Sequence, residues 1–527
     1  MSIRSLLLPM AAALALATPV PAAVPAQAEP AQTPQPTVNE HVTKAGELKS
    51  RSESLRYAPT GRSWQVVLTE PGSSYVKVHF ASLKLAPGDR VTVADPSGRE
   101  VHTYHGNPTT TAFPGDSAHT VHGRTGFAAM SVDGDTAVVT LHAAKERPNA
   151  AVLTRQGFGV RIDSYYRGFN QAETAAANPG TLSVCGTDAR KDVVCYQTNH
   201  PTEYARSGAV ARQLLNGLGH CTAWRVGNTN RMLTNFHCME SAADLRASEF
   251  QFDYQCSTCG GNNPKPGTKV SGLELIKSSP LSALDYALFS VNNFDSIKSF
   301  GTLYLDVREP KAGERIYIPG HGDTKPKRLS LYEESDGGAY CKIDVVASGV
   351  NTGYKCDSSG GNSGSPVLAG SSHKVIALHH LGGCPNWGTR ISLVNNEIAS
   401  LIDNNDGGGP GPGPGKRFDN AADFAIKDLA TVESPITASG LTGNAPSALK
   451  VEVSIKHTYR GDVRLHLVGP DGTAYLLKDT SNDSADDIVA TYPVNATAQV
   501  ANGVWKLRVY DAYQGDTGTL DSWALQF

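Results

Sequence analysis

Apolar and polar residues alternate with a period of two along much of this chain, the mark of strands with one buried face. The clearest stretch is LKVEVSIKHTYRGDVRLHLVGPDGTAYLLKD, where Val451, Val453 and Ile455, then Val463, Leu465 and Leu467, share one face and Gly-Pro-Asp-Gly closes a hairpin. GVWKLRVYDAYQGDTGTLDSWALQF adds two more strands, so residues 417–527 read as a small β sandwich. Similar short runs, WQVVLTE, SYVKVHF, RVTVADPSGREV and TAVVTLHA, occupy about 60 to 165, with Pro-Gly, Asp-Gly and Pro-Ser-Gly between them. They predict an antiparallel, β-rich N-terminal domain. The region between these two also reads as strands, so the expected fold class is all-β.

At 527 residues the chain exceeds one ordinary core, and two or three domains are expected. DGGGPGPGPGK at 406–416 is too poor in apolar groups to pack and marks a linker. Upstream, QAETAAANPGT is small and polar and suits a processing junction, which separates an N-terminal domain over 29–168 from a central domain over 181–405. Residues 29–39 read as a disordered Ala/Pro/Gln leader. Residues 1–28 carry Arg4, a short apolar run and Ala26-Gln27-Ala28, the pattern of an export signal rather than a span. A secreted, extracellular chain is therefore expected, in a compartment where disulfides persist.

The nine cysteines all lie between Cys185 and Cys384, so the central domain is the stapled one. An odd count leaves one thiol over, with Cys256 and Cys259 competing for a partner. Zinc at this CxxC would call for a second pair or nearby histidines, so no metal is assigned. His102, His105, His119 and His122 read as scattered surface residues without a role. A net charge of −3 gives no basic stripe for nucleic acid and no polybasic membrane tether.

The candidate chemistry centres on SSGGNSGSPV, where Ser363 sits among small residues. A serine hydroxyl needs a histidine to take its proton, and that histidine needs a carboxylate to fix its tautomer. RMLTNFHC places His237 after an apolar run and beside a cysteine, and SALDYALFSV places Asp285 ahead of an apolar strand. Glycines around Ser363 let backbone N–H groups turn toward an oxyanion, with Gly361 and Ser363 as the natural donors. An α/β-hydrolase would need Gly-x-Ser-x-Gly and the order Ser, Asp, His; here the order is His, Asp, Ser and Ser365 stands where the last glycine would be.

TNFHC, DYALF and GNSGSP make the central domain resemble the trypsin-like serine endopeptidases, and Asn362 with Ser365 resembles their bacterial branch, similar to lysyl and glutamyl endopeptidases. The resemblance covers roughly 225 residues and implies a two-barrel fold, the triad His237, Asp285 and Ser363, and protein or peptide substrates cut by a monomer with no required cofactor. Asn362 lacks the carboxylate that pairs with a freed amine in mammalian zymogens, so removal of an inhibitory N-terminal domain is the expected activation. The same resemblance implies bridges Cys185–Cys384, Cys221–Cys238 and Cys341–Cys356, with Cys195 taking Cys256 or Cys259. Each would stabilise by roughly 2 to 4 kcal/mol.

For substrate choice, Asp357 aligns with the acid at the base of a pocket for Lys or Arg, yet in the lysine-specific members of this branch the selecting acid comes later, after ALHHLGGCPNWGTRI, where this chain has none. His379 and His380 resemble instead the wall that holds a carboxylate in glutamyl endopeptidases. Basic, acidic and apolar preferences all remain open at this point. The last domain, through IKHTYRGDVRLHLVGPDGT and ANGVWKLRVYDAYQGDTGTLDSWALQF, resembles the P domain (homo B domain), a jelly roll of which some members bind calcium. Asp462, Asp511 and Asp516 would be the oxygen ligands, against a plainer reading as solvated turn carboxylates. A non-catalytic secreted binding protein built on a protease fold is the alternative, which a broken triad or oxyanion turn would favour.

Overall fold

The computed structural model describes residues 39–58, 63–144, 148–180, 182–405, 417–441, 444–446 and 449–527. The signal read at 1–28 and the linker read at 406–416 lie outside the described residues. Strands dominate throughout, as the period-two pattern implies, and the helices are short.

Two sheets build the N-terminal region around one core. One runs Ser63–Thr69, Thr136–His142, Arg90–Ala94, Val101–Tyr104; the other runs Gly46–Leu55, Gly159–Gly168, Tyr75–Lys84, Phe127–Ala129, His119–Thr120. Val91, Val93, Val139 and Leu141 meet Val76, Val78 and Phe80 between them. On Tyr75–Lys84 the opposite face carries Tyr75, Lys77 and His79, and it too is buried, because it docks on the central domain. The same docking explains a departure from the sequence reading of the histidines. His122 is buried and bonded to the Tyr166 hydroxyl at 2.6 Å, since the Val121 N–H reaches across to Arg246 O at 2.9 Å. The expected processing junction contains a helix, Gln171–Ala177, because Asn170 and Glu173 form a reciprocal capping box that outweighs the loop-like composition.

The central domain is a pair of barrels. The first consists of β1 (Val210–Leu215), β2 (Gly219–Arg225), β3 (Met232–Thr234), β4 (Ser248–Phe252), β5 (Thr268–Ser279) and β6 (Tyr286–Val291). All its pairings are antiparallel, in the order β2-β1-β4-β5-β6-β3, and β3 pairs back with β2 to close it. The second uses β7 (Ile316–Gly320), β8 (Ile343–Ser348), β9 (Asn351–Tyr354), β10 (Pro366–Ala369), β11 (Val375–Leu381) and β12 (Asn386–Arg390) in the order β7-β10-β11-β12-β9-β8. The Ile316 N–H to Cys341 O and Ile343 N–H to Glu314 O bonds, 2.8 and 3.0 Å, complete its circle. Trp224, Leu233 and Leu288 from the first barrel pack on Tyr317, Leu368 and Leu378 from the second. Four disulfides form: Cys185–Cys384, Cys195–Cys259, Cys221–Cys238 and Cys341–Cys356. Cys256 is the free, buried thiol.

Residues 417–527 form two facing sheets, Arg417–Asn420, Gly518–Gln526, Leu449–His457, Ile488–Val494 against Thr431–Ala438, Gly503–Asp511, Val463–Val468, Ala474–Lys478. Val451, Val453, Ile455, Val463, Leu465 and Leu467 all point into the core between them, as their alternation predicts. Among the described residues no helix is long and apolar enough to cross a membrane.

Candidate active site

His237 lies just past β3, in a loop tied to β2 by the Cys221–Cys238 bridge. Asp285 immediately precedes β6 and takes a left-handed backbone (φ 48°), which aspartate tolerates better than most residues. The Asn235 side-chain amide donates to the Asp285 carbonyl at 2.9 Å and fixes that turn. The wholly buried Asp285 carboxylate then grips His237 twice: Oδ1 accepts the backbone N–H at 3.0 Å, and Oδ2 accepts Nδ1–H at 2.8 Å. Burial alone would raise this carboxyl, but the bonds from His237 and His380 outweigh it and hold Asp285 well below the usual carboxylate range. With Nδ1 committed, Nε2 is the free basic atom of the ring. It makes no hydrogen bond among the described residues, and so none to the Ser363 hydroxyl.

Ser363 sits on the turn that enters β10. Gly361 (φ 98°) and Gly364 (φ 87°) flank it, and neither position admits a side chain: a Cβ would lie 2.7 Å from His220 Nδ1 at Gly361 and 2.1 Å from Thr222 O at Gly364. Thr222 on β2 pins the turn, its N–H donating to Ser363 O and its hydroxyl to Gly361 O, both at 2.8 Å. From β11, His379 O accepts the Gly364 N–H and the His379 N–H donates to Ser365 O, both at 2.9 Å. Each barrel thus supplies one anchor for the Ser363 turn.

His237 and Ser363 border one cleft of about 370 Å³, together with Ser359, Gly360 and the stretch His379–Gly383. Glu40–Thr43 from the N-terminal region also line it.

The three residues read as specificity candidates separate in space. Asp357 does not line the cleft. Its carboxylate is buried and accepts the backbone N–H groups of Cys185 at 3.0 Å and Ala189 at 2.8 Å, so a lysine or arginine in the cleft would not meet it. Burial raises its pKa against the pull of those two amides. The physical reason is the segment Leu182–Arg190, which lies against the Ser363 loop: Leu182–Ser183 pairs with Ser358–Ser359, and the buried Arg190 guanidinium donates to the Ser359 hydroxyl at 2.6 Å. His379 does line the cleft, with Nδ1 bonded to the Tyr354 hydroxyl at 2.8 Å. Burial, with His380 and His237 nearby, pushes it down to about 3, so it stays neutral. His380 turns instead to the putty of polar contacts behind His237: its Nδ1–H donates to Asp285 Oδ2 at 3.2 Å, and Nε2 lies 2.9 Å from Asn351 Oδ1. Sequence reasoning missed Asn351, the Thr222 anchor and the lining of the cleft by Glu40–Thr43, none of which carries a local motif.

In the C-terminal sandwich, the Thr458 hydroxyl donates to Asp516 at 2.6 Å and His457 Nε2 lies 3.4 Å from Asp511. Burial and then Asp511 and Asp516 raise the Asp462 carboxyl. Among the described residues these carboxylates do not form a group of three side-chain ligand atoms within 4.8 Å of one another. The one group that does come so close is Cys221, His237 and Cys238, whose sulfurs are joined to each other.

Two closed barrels border this cleft, and the family model for the trypsin-like peptidase domain matches residues 221–378. The proprotein convertase P-domain model matches residues 446–527, so the chain carries both domains. Among named proteins, it is 52% identical over 123 residues to leupeptin-inactivating enzyme 1 of Streptomyces exfoliatus, a match that covers 23% of this chain and 28% of that protein. The chain therefore spans under a third of that relative. It is 28% identical over 332 residues to secreted RxLR effector protein 73 of Plasmopara viticola, covering 61% of this chain and 78% of that one. A solved glutamyl endopeptidase, in complex with MPD, aligns over 42% of this chain and 99% of its own at 19% identity, with a TM-score of 0.32.

Proposed function

We propose that the chain is an extracellular serine endopeptidase, made as a precursor whose N-terminal domain blocks the cleft, with His237, Asp285 and Ser363 as its triad. The observation that carries this reading is the 2.8 Å bond from His237 Nδ1 to the buried Asp285 carboxylate, at the wall of the cleft that holds Ser363. In it, Asp285 keeps the proton on Nδ1 and leaves Nε2 as the base. Ser363 Oγ attacks the scissile carbonyl carbon as Nε2 takes its proton, and the oxyanion receives the Gly361 and Ser363 N–H groups. His237 then gives its proton to the leaving amine, and water releases the acyl-enzyme by the same steps. Nε2 and Oγ need only close on each other when substrate excludes water, a tightening common to such pairs. These steps use no cofactor. Substrates are proteins or peptides taken by a monomer, and the four disulfides suit an oxidising location.

Preference for Lys or Arg through Asp357 loses its support, because that carboxylate is spent on Cys185 and Ala189. An acidic preference is favoured by His379: a neutral ring whose Nδ1 is taken by Tyr354 can offer Nε2–H to a carboxylate in the cleft.

The test is secretion of the full chain and of Ser363→Ala, followed by fluorophosphonate labelling and determination of each N-terminus. Labelling at Ser363, and trimming of the wild type alone, is the expected result. Absence of labelling after the N-terminal domain has been removed would overturn the triad and favour a binding protein on a protease scaffold.

A further inference from the structure

Asp285 serves two imidazoles, and only one of them belongs to the triad. Its Oδ2 accepts Nδ1–H of His237 at 2.8 Å and Nδ1–H of His380 at 3.2 Å, while Oδ1 accepts the His237 backbone N–H at 3.0 Å. The rings come from different barrels, His237 from the loop past β3 and His380 from β11. Both are buried, so solvent screens a charge on either one poorly from the other.

The far nitrogens of the two rings differ. His380 Nε2 lies 2.9 Å from Asn351 Oδ1 on β9, an acceptor in place for a second ring proton. His237 Nε2 has no hydrogen-bond partner among the described residues. A proton arriving from solution is therefore better received at His380, where the charged ring bonds on both sides, than at His237, where it bonds on one. Once there, its charge sits against the same oxygen that must support a charge on His237, and the two oppose each other.

The surroundings of His380 add little charge of their own. His379, beside it on β11, is bonded to the Tyr354 hydroxyl and kept neutral by burial. The neighbouring strand β10 is Pro366–Ala369, and β12 passes opposite with Trp387 and Gly388. Arg390, further along β12, pairs with Glu309. From the N-terminal region, Glu40 and His41 border the same cleft.

We propose that His380 is a positioning residue that takes the first proton as pH falls, between Asp285 and Asn351, and by its charge keeps His237 free to act as base in more acidic surroundings than an Asp–His pair alone would allow. The proposal rests on the triad reading and names what sets its acid limit.

The experiment follows the rate of fluorophosphonate labelling at Ser363 across the acid range, in the secreted chain and in two variants. His380→Ser offers Asp285 a hydroxyl in place of the ring but cannot take a charge; Asn351→Leu keeps the ring and removes the acceptor behind it. For His380→Ser the acid limb should move to higher pH by about one unit, a tenfold loss of rate at fixed pH on that limb. Asn351→Leu should move it the same way by less, and both variants should keep a plateau above neutral pH within about threefold of wild type. A lowered plateau with an unmoved limb, as a merely structural role would give, overturns the proposal, and so does a limb that moves to lower pH. Nitrogen NMR of isotope-labelled histidines in the Ser363→Ala chain needs no activity. In mildly acid buffer His380 should show two protonated ring nitrogens while His237 shows one, each ring identified by the signal that His380→Gln or His237→Gln removes. The reverse assignment overturns the proposal. If no chain reacts with the fluorophosphonate, the serine peptidase reading falls, while the NMR arm still decides which ring takes the proton.

Discussion

Lys77 and Glu249 form the contact between the N-terminal and central domains whose removal is most informative. Their charged atoms are 2.7 Å apart with side-chain exposures of 0% and 1%. Ala129 O accepts from Lys77 at 2.9 Å, and the Ser131 N–H donates to Glu249 at 3.0 Å. Burial opposes the Glu249 charge, but Lys77 and Lys269 together hold its carboxyl below the usual range. Replacing Lys77 by Met leaves a buried carboxylate with half its compensation, and breaking a buried pair in this way costs about 3 to 5 kcal/mol. Because Glu249 keeps Ser131 and the charge of Lys269, the lower end applies: about 3 kcal/mol, or roughly 150-fold in the docking equilibrium. The double change Lys77→Met with Glu249→Leu removes both charges and should return to within about 1 kcal/mol of wild type. Hydrogen exchange at Ala45 and Val121, whose N–H groups bond across the interface to Leu218 and Arg246, reads the opening free energy directly. A single change costing under about 1 kcal/mol, or a double change costing as much as the single, would refute the assignment of this pair as the electrostatic lock.

Other outcomes follow from the same geometry. Gly361→Ala puts a Cβ 2.7 Å from His220 Nδ1 on a backbone at φ 98°; under the proposed mechanism kcat should fall on the order of 10²- to 10³-fold as the Gly361 N–H is displaced, with the fold retained by circular dichroism. Asp357→Asn should lower stability by about 1.5 to 3 kcal/mol through a weakened bond to Cys185 or Ala189, seen in denaturant titration, and leave the preference profile on a peptide library unchanged. His220 and His379 are both pushed down to about 3 by burial, so each binds a proton only on unfolding as pH falls below its unfolded value of about 6.5. Stability should therefore decline as pH drops from about 6.5 toward 3, each histidine contributing about 1.4 kcal/mol per pH unit in that window. His220→Gln should reduce the measured slope by about 1.4 kcal/mol per pH unit between about pH 4.5 and 6, read by chemical unfolding.

Strand positions and cores were legible because period-two alternation has a single physical cause, one buried face, as Val451 through Leu467 illustrate. His237, Asp285 and Ser363 were legible for a different reason: each sits in a short motif whose glycines, cysteine or flanking apolar run fix its local backbone. Lys77 shows where such reading stops. In SYVKVHF it marks the polar face of an amphipathic strand, and only the docking of a second domain turns that face into an interior. Asp357 failed as a pocket residue because alignment gives its distance from Ser363 along the chain but not the direction of its side chain, which Cys185 and Ala189 set. The two adjacent histidines divided for the reason strands always divide neighbours: His379 faces Tyr354 and His380 faces Asp285 across the pleat of β11.

Residues 182–190 already clasp the Ser363 loop in the uncut chain, through strand pairing, the Asp357 carboxylate and Arg190. The Ser363 turn is thus held before any cut, and on the proposed precursor reading a break upstream of this clasp would change only whether the N-terminal domain is tethered. Once untethered, its retention obeys mass action. A nicked preparation should stay silent when concentrated and gain activity on dilution, so that the dose of protein, as much as the processing event, sets when it acts.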